Sequence, residues 1–164
     1  MALIDSGARE IPDTWIYPSA EHTAEVVLES RMIIPVSSLL ALAHEALPRP
    51  LGGYATPDMA PDIILPLLPY LDLVVVEFPR FRDGRGFTIA QTLRKRYGFE
   101  GDIRAVGHIL PDQFAALIGC GFSTVLTPTD HPPVQWTPPL SPSSEGPPRQ
   151  LLHRLMTQAG KGGE

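Results

Sequence analysis

The chain has 164 residues, 43% of them hydrophobic and 19% charged, with a formal net charge of −5 at pH 7. That is room for one packed domain, and the acidic balance argues against nucleic-acid binding, which needs a basic footprint. Cys120 is the only cysteine, which rules out an intrachain disulfide and points to a reducing compartment.

The first 20 residues mix Gly, Pro, Asp and Trp15, which predicts a short extended arm or small hairpin covering one edge. This segment holds no apolar run of signal-peptide length. The longest apolar run, Ile63–Val76, is interrupted by Pro66, Pro69 and Asp72 and is too short to span a bilayer, so a soluble cytoplasmic protein is expected.

Met32–Val36 is β-branched and apolar, and predicts a first strand. Ser37 or Ser38 suits the N-cap of a helix over Leu39–Leu47, which Pro48 and Pro50 stop. Gly52–Thr56 is a weaker strand signal. Pro61 fits the first position of a helix running to Leu71, with Pro66 and Pro69 set to kink it.

From 73 to 126 the pattern sharpens. Leu73–Phe78 is a nearly continuous apolar run, as in a parallel strand covered on both faces. A helix follows from about Phe87 to Tyr97, capped by Gly86 or Thr88 and closed by Gly98. Ile103–Gly107 is the next strand, Pro111 opens another helix ending near Gly119–Gly121, and Thr124–Leu126 is a last strand. The βαβαβ order implies parallel pairing with right-handed crossovers. The expected fold is therefore an α/β single domain over 1–127, with four to five mostly parallel strands and flanking helices. Eight prolines between 128 and 148 predict a largely disordered tail over 128–164, with a short helix at 150–157.

The chemistry concentrates where the strand at 73–78 hands over to a helix. Seven basic residues lie between 80 and 104 against Asp83, Glu100 and Asp102, a local charge of +4 within an acidic chain. Arg82, Asp83, Gly84, Arg85 and Gly86 form the loop itself. Its glycines allow sharp turns, while the helix N-terminus and two arginines favour an oxyanion or an acidic partner surface. The competing reading is that the arginines are solvated or tie the loop down by pairing with Asp83. A dinucleotide fingerprint is incomplete here, and GxxxxGK followed by Ser or Thr is absent.

Glu77 and Arg104 place charges within strands predicted to be buried, so each needs a partner. An ion pair between them beneath the loop is the economical solution, and Glu77 as a general base is the sharper alternative. His108, with Asp112 and Gln113 soon after, falls on the same rim and could bind an anion or move a proton. Cys120 sits at a helix end, where nothing activates a thiol. Arg94, Lys95 and Arg96 read as a solvated helix end. No paired His or Cys spacing suggests a metal, and no cofactor motif is present.

The run EFPRFRDGRGFTIAQTLRKRYGFEGDIRAVGHILPDQ, followed by GCGF, resembles the bacterial domain of unknown function 934 family. The likeness is specific over 77–122 and looser towards the N-terminus. It carries over Glu77, Phe81, Asp83, Gly84, Arg85, Gly86, Arg94, Arg104, Asp112 and Gln113. His108 and Ser123 replace the family's usual aspartates, and Gly119 its usual arginine, which marks a divergent member. Members are typically encoded beside assimilatory sulfite reductase, and some are labelled oxidoreductases. The resemblance thus implies an accessory protein of sulfite reduction that uses the Arg/Gly loop to bind sulfite reductase, another sulfur-assimilation protein or a small oxyanion. The alternative is a small enzyme acting on an anionic substrate, with Glu77 or His108 as acid or base and Arg82 and Arg85 as clamp.

Overall fold

The structure, a computed structural model, describes residues 1–18, 27–42 and 46–137. Its seven strands form one sheet: β1 (Ala2–Asp5), β2 (Glu10–Ile11), β3 (Ile33–Pro35), β4 (Gly52–Ala55), β5 (Leu73–Phe78), β6 (Asp102–Gly107) and β7 (Thr124–Thr127). The spatial order is β2-β1-β7-β6-β5-β4-β3. β3 to β7 are parallel, while the β1–β2 hairpin adds antiparallel to β7. The sheet thus has seven strands where four to five were expected: five are parallel, and the N-terminal arm supplies the other two. The sheet is open.

The helices are α1 (Val36–Leu39), α2 (Pro61–Ile64), α3 (Arg85–Gln91) and α4 (Phe114–Cys120). Three departures from expectation have local causes. α1 starts directly after Pro35 rather than at a serine cap, and residues 43–45 of the longer helix expected there lie outside the described residues. The helix expected over Pro61–Leu71 is α-helical for one turn, then 3₁₀ over Leu65–Tyr70. Pro66 and Pro69 lack the N–H groups that an α ladder needs. α3 begins two residues early and continues as a π-type turn over Thr92–Arg96 before Gly98 turns the chain at φ +65°.

The strand order explains the layering. β3 through β7 follow one another without reversal, so right-handed crossovers all fall on one side of the sheet. On that side Val74, Val76, Phe78, Ile103, Ala105 and Val125 pack with Leu39, Ile64, Ile89, Leu93 and Leu117 in the main core. On the opposite face Ile33, Leu73, Val75 and Val106 cluster with Tyr54 and Leu126 of the sheet itself, and among the described residues Trp15 and Tyr17 pack over them. Among the described residues, the second cover expected for a buried parallel strand is therefore a strap.

The strap is the segment after β2. Asp13 reaches Arg104 on β6, Trp15 lies against Gly52 on β4, and Ile16 pairs with Met32 beside β3. It crosses the sheet from one edge to the other.

Packing continues past the boundary expected at 127. A 3₁₀ turn at Pro133–Trp136 returns the chain to the helical side. There Trp136 is 1% exposed, stacks edge-on to Phe114, and donates its indole N–H to the His131 carbonyl at 2.9 Å. The helix expected at 150–157 lies outside the described residues.

Candidate docking loop and sheet-face cleft

The Arg/Gly loop leaves the carboxyl end of β5, as expected for the site-bearing end of an α/β sheet. Asp83 organises it. One carboxylate oxygen accepts from the Arg85 backbone N–H at 3.2 Å and from Arg85 Nε at 2.9 Å, and the other accepts from Nη2 at 2.7 Å. The Arg85 side chain's hydrogen bonds hold the Asp83 carboxyl down to about 2 against the opposing effect of desolvation. The negative charge expected at the start of α3 is therefore supplied by the chain itself. Pairing with Asp83, rather than an open anion clamp, describes Arg85.

The glycines act differently from the sequence reading. Gly84 has φ −78° and open space where a side chain would stand, so no turn requires it. Gly86 is helical, and a Cβ there would meet the Phe78 ring at 2.6 Å, so its role is close packing of α3 on β5. The positive φ belongs to Gly107 at the end of β6, +101°, where a Cβ would stand 2.4 Å from the Phe78 carbonyl oxygen.

Gln113 fastens the loop to the next rim element. Its Oε1 accepts from the Leu110 N–H at 3.0 Å, and its Nε2 donates to the Phe81 carbonyl at 2.7 Å. Asp112 is exposed in the same turn. Held from both sides, the loop presents Arg80, Phe81 and Arg82 to solvent, with Phe81 46% exposed and the Arg82 guanidinium 5.3 Å from its ring centroid. Arg80 and Phe81 were not singled out as binding residues. An aromatic flanked by two arginines in a loop was the available signal.

Arg104 lies elsewhere. It is 2% exposed on the strap side of β6, and its partners are Tyr17 Oη at 2.7 Å, Asp13 at 3.1 Å, Asp102 at 3.2 Å and Thr124 Oγ1 at 3.2 Å. Burial by itself lowers the guanidinium pKa, but Tyr17, Asp102 and Asp13 more than compensate and leave it raised. The expected Glu77–Arg104 pair is not formed. The register sets Glu77 opposite Val106 and Arg104 opposite Val75, and Glu77 instead bonds the Tyr54 hydroxyl. Burial, then the nearby Glu77 charge, pushes the Tyr54 phenol up to about 12. Arg104 is a buried strap anchor and not an anion ligand.

Arg94 is likewise structural and not solvated. It donates to the carbonyls of Gly121 (2.9 Å) and Phe99 (2.6 Å) at the amino end of the sheet. Ser123 Oγ there bonds Asp102 and accepts from the Ile103 N–H, while Gly119 faces open space. Cys120 is a half-exposed free thiol.

Above the strap, the face opposite the helices opens into a cleft of about 1280 Å³ at the carboxyl ends of the parallel strands. Tyr54, Val106 and Leu126 form its floor, Asp13 and Tyr17 its lower wall, and His108 its rim. His108 is exposed, and its backbone N–H donates to the Phe78 carbonyl at 2.7 Å. Of the predicted site residues, the structure thus gathers Arg82 to Gly86 with Gln113 at the loop, sets His108 on the cleft rim and Glu77 beside its floor through Tyr54, and buries Arg104 behind the cleft wall through Asp13 and Tyr17. Among the described residues no group of three His, Cys, Asp or Glu side chains is placed to hold a metal ion, and no helix is long and apolar enough to cross a membrane.

A singly wound α/β domain with a braced basic–aromatic loop on its carboxyl rim is the class that fold and site define. Within that class, the chain belongs to the family described as bacterial protein of unknown function (DUF934), whose model matches residues 54–145. No curated protein and no solved structure matches it.

Proposed function

We propose that this protein is a cytoplasmic accessory factor of sulfite reduction, docking an acidic surface of sulfite reductase or another sulfur-assimilation protein through its Arg80–Arg85 loop. The observation that carries the docking half is the occupancy of the α3 N-terminus by Asp83. With that position filled, a free oxyanion has little to gain there. Arg82 and Phe81 remain directed outwards on a loop braced by Asp83 and Gln113. Exposed aromatic and arginine side chains on a preorganised loop are the usual composition of protein-interface hot spots. The sulfite-reduction half rests on the family's gene context.

The second reading, a small enzyme acting on an anionic substrate through Glu77 or His108, draws on the cleft that His108 borders. The carboxylates of Asp58 and Asp130 around that cleft oppose an anion, and Glu77 is engaged with Tyr54. Docking is the better supported.

The test is capture from lysate of the native host, comparing wild type with Phe81→Ala/Arg82→Ala. The sulfite reductase haemoprotein should be retained by wild type and lost with the double variant. Its absence from both captures, or equal retention by both, would sink the reading.

A further inference from the structure

Parallel sheets are generally covered on both faces, yet the upper half of the face opposite the helices is uncovered among the described residues. The cleft there, about 1280 Å³, exceeds the roughly 300–1,000 Å³ usual for small-molecule pockets. It crosses the sheet from Pro35, at the end of β3, to Leu126 on β7. Those strands are four spacings apart, roughly 19 Å, the length of about six extended residues.

The charge around the trough is directional. Asp13 is neutralised by Arg104, and Glu77 is held by Tyr54. Asp58, beyond β4, and Asp130, beyond β7, are exposed on the lining, with His108 on the rim. Asp58 also feels Arg85 at a distance. β4 and β7 are three spacings apart, on the order of 14 Å, which an extended chain covers in about four residues, returning to the same face.

We propose that this trough is a docking groove for an extended segment of a partner protein carrying apolar side chains between two basic residues about four positions apart. Tyr54, Val106 and Leu126 take the apolar side chain midway between the two basic residues, which shares their face, and Asp58 and Asp130 take the two cations. This interaction is separate from docking through the Arg80–Arg85 loop and has the opposite charge preference.

The experiment uses the full chain and fluorescein-labelled peptides with blocked ends, read by anisotropy. The probe is Arg-Leu-Val-Leu-Arg. The controls replace both Arg by Glu, or move the second Arg to the third position. The probe should bind at least tenfold more tightly than either control. Asp58→Asn/Asp130→Asn should weaken it at least tenfold while keeping the wild-type melting temperature, since both side chains are exposed. Arg82→Ala should leave it unchanged, which separates this result from failure of the loop reading. Equal binding of all three peptides, or insensitivity to the Asp variants, overturns the proposal. So does displacement by spermine at the probe's own affinity, which would assign the trough to small polycations. Concentration-dependent dimerisation that excludes the probe would likewise overturn it, in favour of a second copy.

Discussion

A guanidinium at the centre of a sheet is tolerated only when acceptors match its donors. Arg104 meets that condition with Tyr17, Asp13, Asp102 and Thr124. Arg104→Ala would strand Asp102 and Asp13 next to a half-buried void and should cost about 3–5 kcal/mol in urea unfolding. Tyr17→Phe, which removes one bond to a charged donor, should cost about 1.5–3 kcal/mol. Equal and small losses in the two would mean that the strap does not depend on this anchor. At the loop, the Asp83 carboxyl is held at about 2 against an ordinary 3.8. A depressed carboxylate stabilises the folded state above its unfolded pKa and loses that contribution as pH falls through its folded one. The Asp83–Arg85 brace should therefore persist from neutral pH to below 3.8 and open near 2. A carboxyl carbon NMR titration checks this directly, and a midpoint near 3.8 would show the brace to be unformed. Sequence reasoning held pairing of the loop arginines with Asp83 as the competing reading, because they lie within two residues of it, and Arg85 is the one that pairs. It missed the partners of Arg104 because Asp13 and Tyr17 lie 91 and 87 residues away.

At the scale of elements, β5 was legible as a long apolar run, and β6 and β7 as short runs near Gly or Pro that alternate with helical patterns. α3 was legible through its following Gly98, while its start was misplaced: Gly86 looks like a cap but is a packing residue against Phe78. The strap was legible only as an extended arm, since a segment that crosses a sheet has no periodicity of its own. The end of the packed chain was set too early because proline density from Pro128 onwards outweighed Trp136. A single large aromatic among prolines was the signal for burial. Trp136→Ala should cost about 3–5 kcal/mol, the range for emptying a core aromatic site. A loss under about 1 kcal/mol, as at surface positions, would restore the boundary near 127.

For the molecule as a whole, the decisive property is the uninterrupted order β3 to β7. It sends the helices of the described residues to one face, and leaves the N-terminal strap to cover the lower part of the other. The carboxyl rim then carries two surfaces of opposite character, the basic–aromatic loop beyond β5 and the cleft flanked by Asp58 and Asp130. The α/β class and the loop were readable from the βαβαβ pattern and from the clustering of arginines. The one-sided layering was not, because strand order is a property of three-dimensional pairing and no local pattern encodes it. Docking through the loop is the central functional claim, and charge should set both its rate and its salt dependence. The most direct measurement is the affinity of the purified chain for the purified sulfite reductase haemoprotein of the same host, at low ionic strength and at 0.15 M or above. Binding should weaken as salt rises, and Arg82→Ala should weaken it at low salt by at least tenfold while flattening that dependence. Tight binding that ignores both salt and Arg82→Ala, or no binding at low salt, would contradict the account.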